Sequence, residues 1–328
     1  MTDPVMLVTI DTEQDCSATW VAPVPLTFAS IHDGIVGRLQ PLCDSIGARP
    51  TYLLSPSVIQ DPSSAQALAG LPSTAELGTH LHGEFVEPAR SHFGLEATAT
   101  NEMQCFYPDD VEAAKLETLT ELFVGTFGYS PASFRAGRFA ADADTLRHLI
   151  RLGYRVDSSV TPHEAWEDAQ GTVDHRMAPE QPYYPSSTSI VSVGSMQSLE
   201  VPVTIASHGA LRRRYAFARR VVSAIPRMQS TIGRPLWLRP SFSSARDMRN
   251  VIDWSLATRA TEGHPIVLNM MFHSVELTPS TSPYAASEEA AASLLARVGD
   301  TLRYAAAKGC RFATLGSLAA EFSTDESA

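Results

Sequence analysis

A short apolar run near the start of the chain, ending in carboxylates, indicates the fold class. Residues Met6 to Ile10 are apolar or β-branched without interruption, which is typical of a strand buried in a parallel sheet. Asp11 and Glu13 follow directly. In α/β proteins, ligands and chemistry collect at the carboxyl ends of strands, so these two acids can bind a divalent metal or act as a base. The same acids could instead cap a helix or form a turn, and the rest of the chain decides between these roles.

The alternation of short strands with amphipathic helices continues along the chain and predicts a parallel sheet or barrel. The predicted strands are Met6–Ile10, Thr51–Leu54, Glu76–His80, Ser133–Arg138, Tyr154–Asp157, Leu199–Val203, Leu236–Leu238, Pro265–Phe272 and Arg311–Thr314. The predicted helices are Ile31–Ile46, Ser63–Ala69, Asp109–Phe127, Asp142–Leu152, Ser244–Ala260 and Glu288–Ala307. No repeat or linker interrupts this order, so we expect one domain over residues 1–322 and a frayed tail over residues 323–328.

Composition and charge exclude several classes of protein. The chain has 328 residues, of which 44% are hydrophobic and 19% charged, so global disorder is excluded. Its net charge of −11 argues against general binding of nucleic acid or anionic membranes. The four cysteines are far apart, which argues against a disulfide framework or a thiolate zinc site. With no run of transmembrane length and no secretory pattern at Met1, we expect a cytoplasmic protein.

Two stretches depart from the strand–helix alternation. Thr161 to Ser198 is rich in Pro, Ser, His and Tyr and has no periodicity, which indicates either a functional loop or disorder. Leu211 to Ile225 contains five arginines among apolar residues at helical spacing. We interpret it first as the solvated face of an amphipathic helix, with a phosphate-binding patch as the second interpretation.

Polar side chains with catalytic potential follow five of the predicted strands. They are Asp11 and Glu13, His80 and His82, Arg135 and Arg138, Asp157, and His273. If the strands are parallel, these side chains share one end of the sheet. A carboxylate and two imidazoles can bind a metal and leave a position open for water. A second carboxylate can then act as general base, a further histidine as general acid, and an arginine beside the base keeps it ionised.

The order of these residues resembles that in the polysaccharide deacetylases, the NodB-homology carbohydrate esterases. The resemblance covers about Met6 to Phe312 and rests on Thr-Ile-Asp-Thr-Glu13, Glu-Leu-Gly-Thr-His80-Leu-His82, Phe-Arg-Ala-Gly-Arg138, Tyr-Arg-Val-Asp157-Ser-Ser and Asn-Met-Met-Phe-His273-Ser. It implies an α/β fold of the irregular (β/α)7 barrel type and removal of an acetyl group from a sugar.

The resemblance also implies a role for each site residue. Asp11 corresponds to the general base and His273 to the general acid. Arg135 holds the base, and Asp157 supports that network. Glu13 and His80 correspond to ligands of one divalent metal ion, for which we expect Zn²⁺.

The sequence departs from the family pattern in both metal motifs. Thr12 separates two acids that are usually adjacent, which leaves open whether Asp11 or Glu13 binds the metal. The second family histidine would lie four residues after His80, where this chain has Glu84. Either His82 or Glu84 is then the third ligand, and we favour His82 because imidazole suits zinc.

These observations lead to three hypotheses for function. The first is a metal-dependent hydrolase that removes an acyl group from an amino sugar, such as a nucleotide-linked sugar, a lipid-linked sugar or a small glycoside. Arg138, Tyr183 and Tyr184 could contact that substrate, although plain loop packing also explains the tyrosines. The second is an inactive barrel that binds a glycan or a partner protein. The third is a metal-dependent hydrolase of a non-sugar amide on the same scaffold.

Overall fold

Strand β1 (Val5–Thr12) is buried at all eight positions and lies inside the sheet, as its uninterrupted apolar sequence predicts. The structure is a computed structural model that describes residues 3–88, 90, 103–206, 235–258 and 264–325. Strands and helices alternate along most of the described chain, so the predicted strand–helix alternation is confirmed.

The strands that follow β1 in the described residues are β2 (Pro50–Leu54), β3 (Glu76–Leu81), β4 (Ser133–Ala136), β5 (Val156–Asp157), β6 (Ala165–Glu167), β7 (Thr172–Asp174), β8 (Pro185–Ser186), β9 (Ser189–Val193), β10 (Leu199–Glu200), β11 (Ile205–Ala206), β12 (Leu236–Trp237), β13 (Val267–His273) and β14 (Arg311–Phe312). The α-helices are α1 (Gln40–Ile46), α2 (Pro56–Gln60), α3 (Pro62–Ala69), α4 (Asp109–Phe127), α5 (Ala143–Arg151), α6 (Ala245–Thr258), α7 (Glu288–Ala307) and α8 (Leu315–Asp325). A π-helix over Ser30–Leu39 leads directly into α1.

The main sheet is parallel and curled. Its strands lie in the order β10-β5-β4-β3-β2-β1-β13, and β14 pairs with the start of β1. Thr204, after β10, hydrogen-bonds to Asn269 of β13: its main-chain N–H donates to the Asn269 carbonyl at 3.0 Å, and its hydroxyl accepts from the Asn269 N–H at 2.8 Å. These contacts bring the two outer strands together. The architecture is that of a (β/α)7 barrel, as the sequence predicted.

The register of this sheet places the candidate residues at one edge. Asp11 is paired with His273 across β1 and β13, and His80 is paired with Arg135 across β3 and β4. Because neighbouring parallel strands end at the same level, residues more than 250 positions apart in sequence become direct neighbours.

Helix α4 is confirmed at both predicted ends, and it buries two charged side chains beside the apolar ones. Gly128 ends it with a left-handed φ of 78°, a conformation that glycine adopts without strain. Lys115 is fully buried, and its ammonium donates to the main-chain carbonyls of Gly83 at 2.7 Å and Val86 at 2.9 Å. The helix therefore fixes the turn that follows β3. Glu112, also buried, accepts hydrogen bonds from Thr145 and Gln104.

Two segments differ in detail from their predictions, and a third lies outside the described residues. Residues 161–198 contain two antiparallel hairpins, β6–β7 and β8–β9, so disorder does not describe them, and the alternative of a functional loop stays open. Helix α8 continues to Asp325, beyond the predicted start of a frayed tail at residue 323. The arginine-rich stretch Leu211–Ile225 lies outside the described residues.

Among the described helices, none combines the length and apolarity needed to cross a membrane.

Candidate metal centre and active site

Three side chains converge at the carboxyl ends of β1 and β3. The Oε1 atom of Glu13 lies 3.1 Å from Nε2 of His80 and 3.1 Å from Nε2 of His82, and the two Nε2 atoms are 3.1 Å apart. Within the described residues, this is the group of acids and imidazoles whose geometry fits a metal ion. It consists of the three ligands that the sequence predicted.

The hydrogen bonds behind the two imidazoles leave their Nε2 atoms available as ligands. Nδ1 of His80 lies 2.9 Å from the main-chain carbonyl of Arg135, which can only accept, so Nδ1 carries the proton. Nδ1 of His82 lies 3.3 Å from the Glu84 carboxylate, which assigns the same tautomer. In the neutral form that a metal would require, both imidazoles direct their Nε2 lone pairs toward Glu13, the arrangement that metal-binding histidines usually show. The residues present therefore fit a divalent cation.

Charge around the cluster also favours a cation. Burial opposes ionisation of Glu13, but His82 and His80 hold the pKa of its carboxyl well below the usual range. Burial likewise opposes charge on His82, but Glu84 and Glu13 raise the pKa of this imidazole to about 10. Without a metal, one imidazolium therefore compensates the carboxylates, and a divalent cation would replace that charge.

Glu84 lies behind His82 instead of beside Glu13. Its Oε1 atom contacts Nδ1 of His82 at 3.3 Å and accepts from Nη2 of Arg138 at 3.2 Å. Although burial opposes ionisation, His82 and Arg138 lower the pKa of the Glu84 carboxyl to about 2. Of the two alternatives for the third ligand, the geometry favours His82, with Glu84 orienting its ring.

Asp11 lies between the metal cluster and His273. Its Oδ2 atom is 4.0 Å from Nε2 of His80 and 3.9 Å from Nε2 of His273. Its Oδ1 atom accepts from Nη1 of Arg135 at 2.6 Å, and both side chains are buried. Burial alone would raise the pKa of Asp11, but Arg135, His80 and His273 lower it, so this carboxylate is ionised and available as a base.

The guanidinium of Arg135 is held on all sides. Nε donates to the Ser158 carbonyl at 2.7 Å, and Nη2 donates to the Ser158 hydroxyl at 2.9 Å and the Thr9 hydroxyl at 2.8 Å. Ser158 makes the direct hydrogen bonds to the guanidinium, and Asp157, which was predicted to support this network, interacts with Arg135 through its charge. Asp157 accepts from the Ser159 hydroxyl at 2.7 Å and pairs with the buried carboxyl of Glu200. Burial raises the pKa of both carboxyls, and that of Glu200 lies well above its usual range because the charge of Asp157 adds to the effect of burial.

His273 is oriented by two residues that the sequence analysis did not identify. Nδ1 lies 3.1 Å from Oε1 of Glu276, a fully buried carboxylate that also accepts from Nη2 of Arg239 at 2.8 Å. Burial opposes ionisation of Glu276, yet Arg239 and His273 keep its pKa lowered. Nη2 of Arg239 also lies 3.0 Å from Nδ1 of His273, so Glu276 and Arg239 together hold the imidazole with its Nε2 atom toward Asp11. The sequence contains one signal for Glu276. It lies three residues after His273, directly after a strand, and this spacing resembles a helix-start motif.

These groups open into a cavity of about 560 Å³. Arg138, a predicted substrate contact, lines this cavity and adopts a left-handed φ of 55°, followed by Phe139 at 57°. Two consecutive non-glycine residues in this region are strained, and such strain is frequent at functional sites. Gly137 precedes them, and a Cβ atom there would lie 2.5 Å from the Leu81 carbonyl.

Tyr183 and Tyr184, which the sequence offered as possible substrate contacts, lie outside the cavity lining. Tyr183 is buried, and its hydroxyl donates to the Ile190 carbonyl at 2.5 Å within the hairpin β8–β9. Tyr184 packs against an apolar cluster that contains Val5 and Leu7 of β1. Their role is the loop packing named as the alternative.

Comparison with solved structures identifies the fold. A provisionally assigned glycoside hydrolase/deacetylase from Parabacteroides distasonis matches 98% of this chain and 72% of its own with a TM-score of 0.60 at 12% identity. A probable polysaccharide deacetylase from Pseudomonas aeruginosa PAO1 matches 98% of this chain and 90% of its own with a TM-score of 0.54 at 12% identity. The fold is that of the NodB-like polysaccharide deacetylases.

The deacetylase fold also accommodates a different chemistry. A GH57-type branching enzyme from the hyperthermophilic archaeon Pyrococcus horikoshii matches 98% of this chain and 71% of its own with a TM-score of 0.56 at 9% identity. No protein-family model and no curated protein matches the sequence. At sequence identities this low, structural similarity establishes the fold alone. The function is inferred from the side chains of this chain.

Proposed function

We propose that this protein is a metal-dependent hydrolase that removes an acyl group, acetyl in the first instance, from an amino sugar of a glycan or glycoside. The observation that carries the proposal is the convergence of Glu13, His80 and His82 next to Asp11 and His273. A metal site, a base and an acid are the groups that hydrolysis of an unactivated amide needs. The deacetylase fold supports this proposal by analogy.

The donor set of one carboxylate and two imidazoles suits Zn²⁺, which we propose as the metal. A bound divalent cation supplies Lewis acidity, which polarises the amide carbonyl and lowers the pKa of water. Asp11, kept ionised by Arg135, takes the proton of the attacking water as the new C–O bond forms. His273 gives its proton to the nitrogen as the C–N bond breaks. Acetic acid and the amine leave, the acetic acid gives its proton to solvent or to the amine, and transfer of the proton from Asp11 to His273 through solvent restores both groups.

Metal content and acetate release test the proposal together. The purified protein, supplied with Zn²⁺, should bind about one equivalent per chain and release acetate from oligomers of N-acetylglucosamine. His80→Ala should lose metal and activity together. The matched control is His32→Ala, because His32 is exposed on the π-helix and contacts Ser63.

Three results would contradict parts of the proposal. Full metal occupancy in His80→Ala would locate the metal elsewhere. Metal binding without hydrolysis of any acetylated sugar would support an inactive, glycan-binding barrel. Hydrolysis of simple acetamides at the same rate as acetylated sugars would support a hydrolase of non-sugar amides.

A further inference from the structure

A second cavity lies at the end of the barrel opposite the metal cluster. Its volume is about 340 Å³, and its lining comes from residues at or just before the starts of β2, β3, β4 and β5 and of helix α8. Because parallel strands all start at the same edge of a sheet, this cavity is remote from the catalytic groups. We call it the lower cavity. The polar residues that line it include Arg49, Ser73, Glu76, Tyr129, Ser130 and Arg155.

Two guanidinium groups line the lower cavity without a carboxylate partner. Neither the Arg49 nor the Arg155 side chain forms a hydrogen bond or an ion pair with any residue that the structure describes. The Nε atom of Arg49 is buried without an acceptor, whereas the two terminal nitrogens of this half-buried side chain reach solvent. Partial burial of a cation without a counter-charge is unfavourable, and an anion bound at the accessible nitrogens would offset that cost.

Glu76 is the acid among the described lining residues, and the protein already satisfies both of its oxygens. Oε2 accepts from the Gly316 N–H at 2.8 Å and from the Thr51 hydroxyl at 3.3 Å, and Oε1 accepts from the Ser133 hydroxyl. Glu76 therefore compensates the positive end of helix α8, which leaves the arginines as the binding groups. Two arginines and one glutamate give the lining a net charge of +1, in a chain whose net charge is −11.

Three hydroxyl groups add neutral donors to the same cavity. The hydroxyls of Ser73, Tyr129 and Ser130 have no hydrogen-bond partner in the described part of the chain. Burial and the charge of Glu76 raise the pKa of the Tyr129 hydroxyl, so this group stays protonated and can donate. All three residues are exposed, as is Arg155, so a ligand can enter the cavity from solvent.

The number and arrangement of these donors favour a phosphate group over a carboxylate. The backbones of Arg49 and Arg155 are three strand spacings apart, about 14 Å, and both side chains line one cavity, so one ligand can contact both. A phosphate group offers three or four acceptor oxygens and binds arginine in a bidentate manner, whereas a carboxylate has two oxygens in one plane. The volume of the cavity also leaves room for an organic group attached to the phosphate.

We infer that the lower cavity binds a small molecule that carries a phosphate group, either inorganic phosphate or a phosphate monoester, between Arg49 and Arg155. Because the metal cluster lies at the other end of the barrel, this ligand binds without displacing the substrate of the proposed hydrolysis.

Calorimetric titration of the zinc-loaded full-length protein tests the inference with three probes: inorganic phosphate, glucose 6-phosphate and acetate. At least one of the two phosphate probes should bind with a Kd of about 1 mM or lower. Acetate should bind at least about tenfold more weakly, because it accepts fewer hydrogen bonds. Tighter binding of glucose 6-phosphate than of inorganic phosphate would identify a monoester as the ligand, and the reverse order or equal binding would identify inorganic phosphate.

Substitution of each arginine locates the bound phosphate. Arg49→Met and Arg155→Met should each weaken phosphate binding by about tenfold or more, the size of a charge-assisted contact. Arg155→Lys should have a smaller effect, because lysine keeps the charge but not the bidentate geometry. Arg155 is exposed and has no partner in the described protein, so its substitution should not affect folding. The matched control is Arg246→Met, since Arg246 is exposed in the first turn of α6 and does not line the lower cavity.

Phosphate bound to the catalytic metal would give a different pattern. His80→Ala, which should lose the metal, should still bind phosphate in the lower cavity. Phosphate binding that disappears in His80→Ala and persists in both methionine variants would overturn the inference. So would the failure of both phosphate probes to bind, or acetate binding as tight as that of phosphate. None of these results bears on acetate release, which tests the proposed function separately.

Discussion

Replacing Arg135 with methionine should separate the stability of the site from its metal affinity. The Arg135 side chain is fully buried and makes four hydrogen bonds, one of them to the 2%-exposed carboxylate of Asp11. Removing one partner of a buried ion pair leaves an uncompensated charge, and typically costs about 3–5 kcal/mol. Since domains are stable by about 5–15 kcal/mol, this is a large part of the total.

The same substitution should leave metal binding nearly intact. His80 is oriented by the main-chain carbonyl of residue 135, and that carbonyl remains when the side chain changes. The pKa of Asp11 should rise, because burial raises it and Arg135 is the strongest group that lowers it. In the wild-type protein this lowered pKa contributes stability that is present at neutral pH and is lost as the pH falls below about 4, the ordinary carboxyl value. In Arg135→Met that contribution disappears, and the acidic limb of the pH–rate profile moves to higher pH.

Urea unfolding at pH 7, chelator competition for zinc and the pH–rate profile measure these three effects. Arg176→Met is the matched control, because Arg176 forms a bidentate pair with Asp174 that is partly exposed. It should cost about 0–1 kcal/mol. Combining Arg135→Met with Asp11→Asn should recover part of the lost stability, since no buried charge is left unpaired. A cost no larger than that of the control, or an unchanged acidic limb, would refute the reasoning.

Three further substitutions test other parts of the site. His273→Ala should slow amide cleavage by about 10²–10⁴-fold and cleavage of an activated aryl acetate far less, because a phenolate leaves without protonation; equal losses would show that His273 does not donate the proton. Glu84→Gln should weaken zinc binding by about 10–100-fold in a chelator competition, the usual effect of removing a partner behind a ligand; a much larger loss would make Glu84 a ligand itself. Burial raises the pKa of the Glu112 carboxyl to about 7, although hydrogen bonds from Thr145 and Gln104 lower it. The folded state therefore binds this proton more tightly than the unfolded chain does. The resulting stabilisation of the folded state is present at low pH and is lost as the pH rises from about 4.5 to 7. Glu112→Gln should therefore flatten the urea-unfolding stability over this pH range, and a slope equal to that of the wild type would contradict the assignment.

The metal cluster could be predicted from sequence because each ligand is tied to a strand. Met6 to Ile10 is apolar on both faces, which fixes a buried parallel strand and hence the position of the acids that follow it. His80 lies in β3 by the same logic. The sequence alone could not decide whether His82, two residues after His80, or Glu84, four residues after it, is the proposed third metal ligand. That decision depends on the turn after β3, which Lys115 holds from a helix distant in sequence.

The cavity walls could not be predicted because irregular segments build them. Trp20, Trp166 and Phe242 come from three separate segments without hydrophobic periodicity, and only the folded chain aligns them. Tyr183 and Tyr184 lie in an equally irregular segment, yet the hairpin turns both away from the cavity. Aromatic composition alone does not distinguish these two outcomes.

The pairing of β1 with β13 has a consequence for the order in which the site is assembled during synthesis. The ribosome delivers Asp11, Glu13, His80, His82 and Arg135 within the first 135 residues, but His273 and Glu276 only after about twice that length. Domains begin to fold while they are made, and contacts between distant segments form late. A nascent chain therefore carries all three of the proposed metal ligands long before it carries the proposed acid His273, so metal binding can precede catalytic activity.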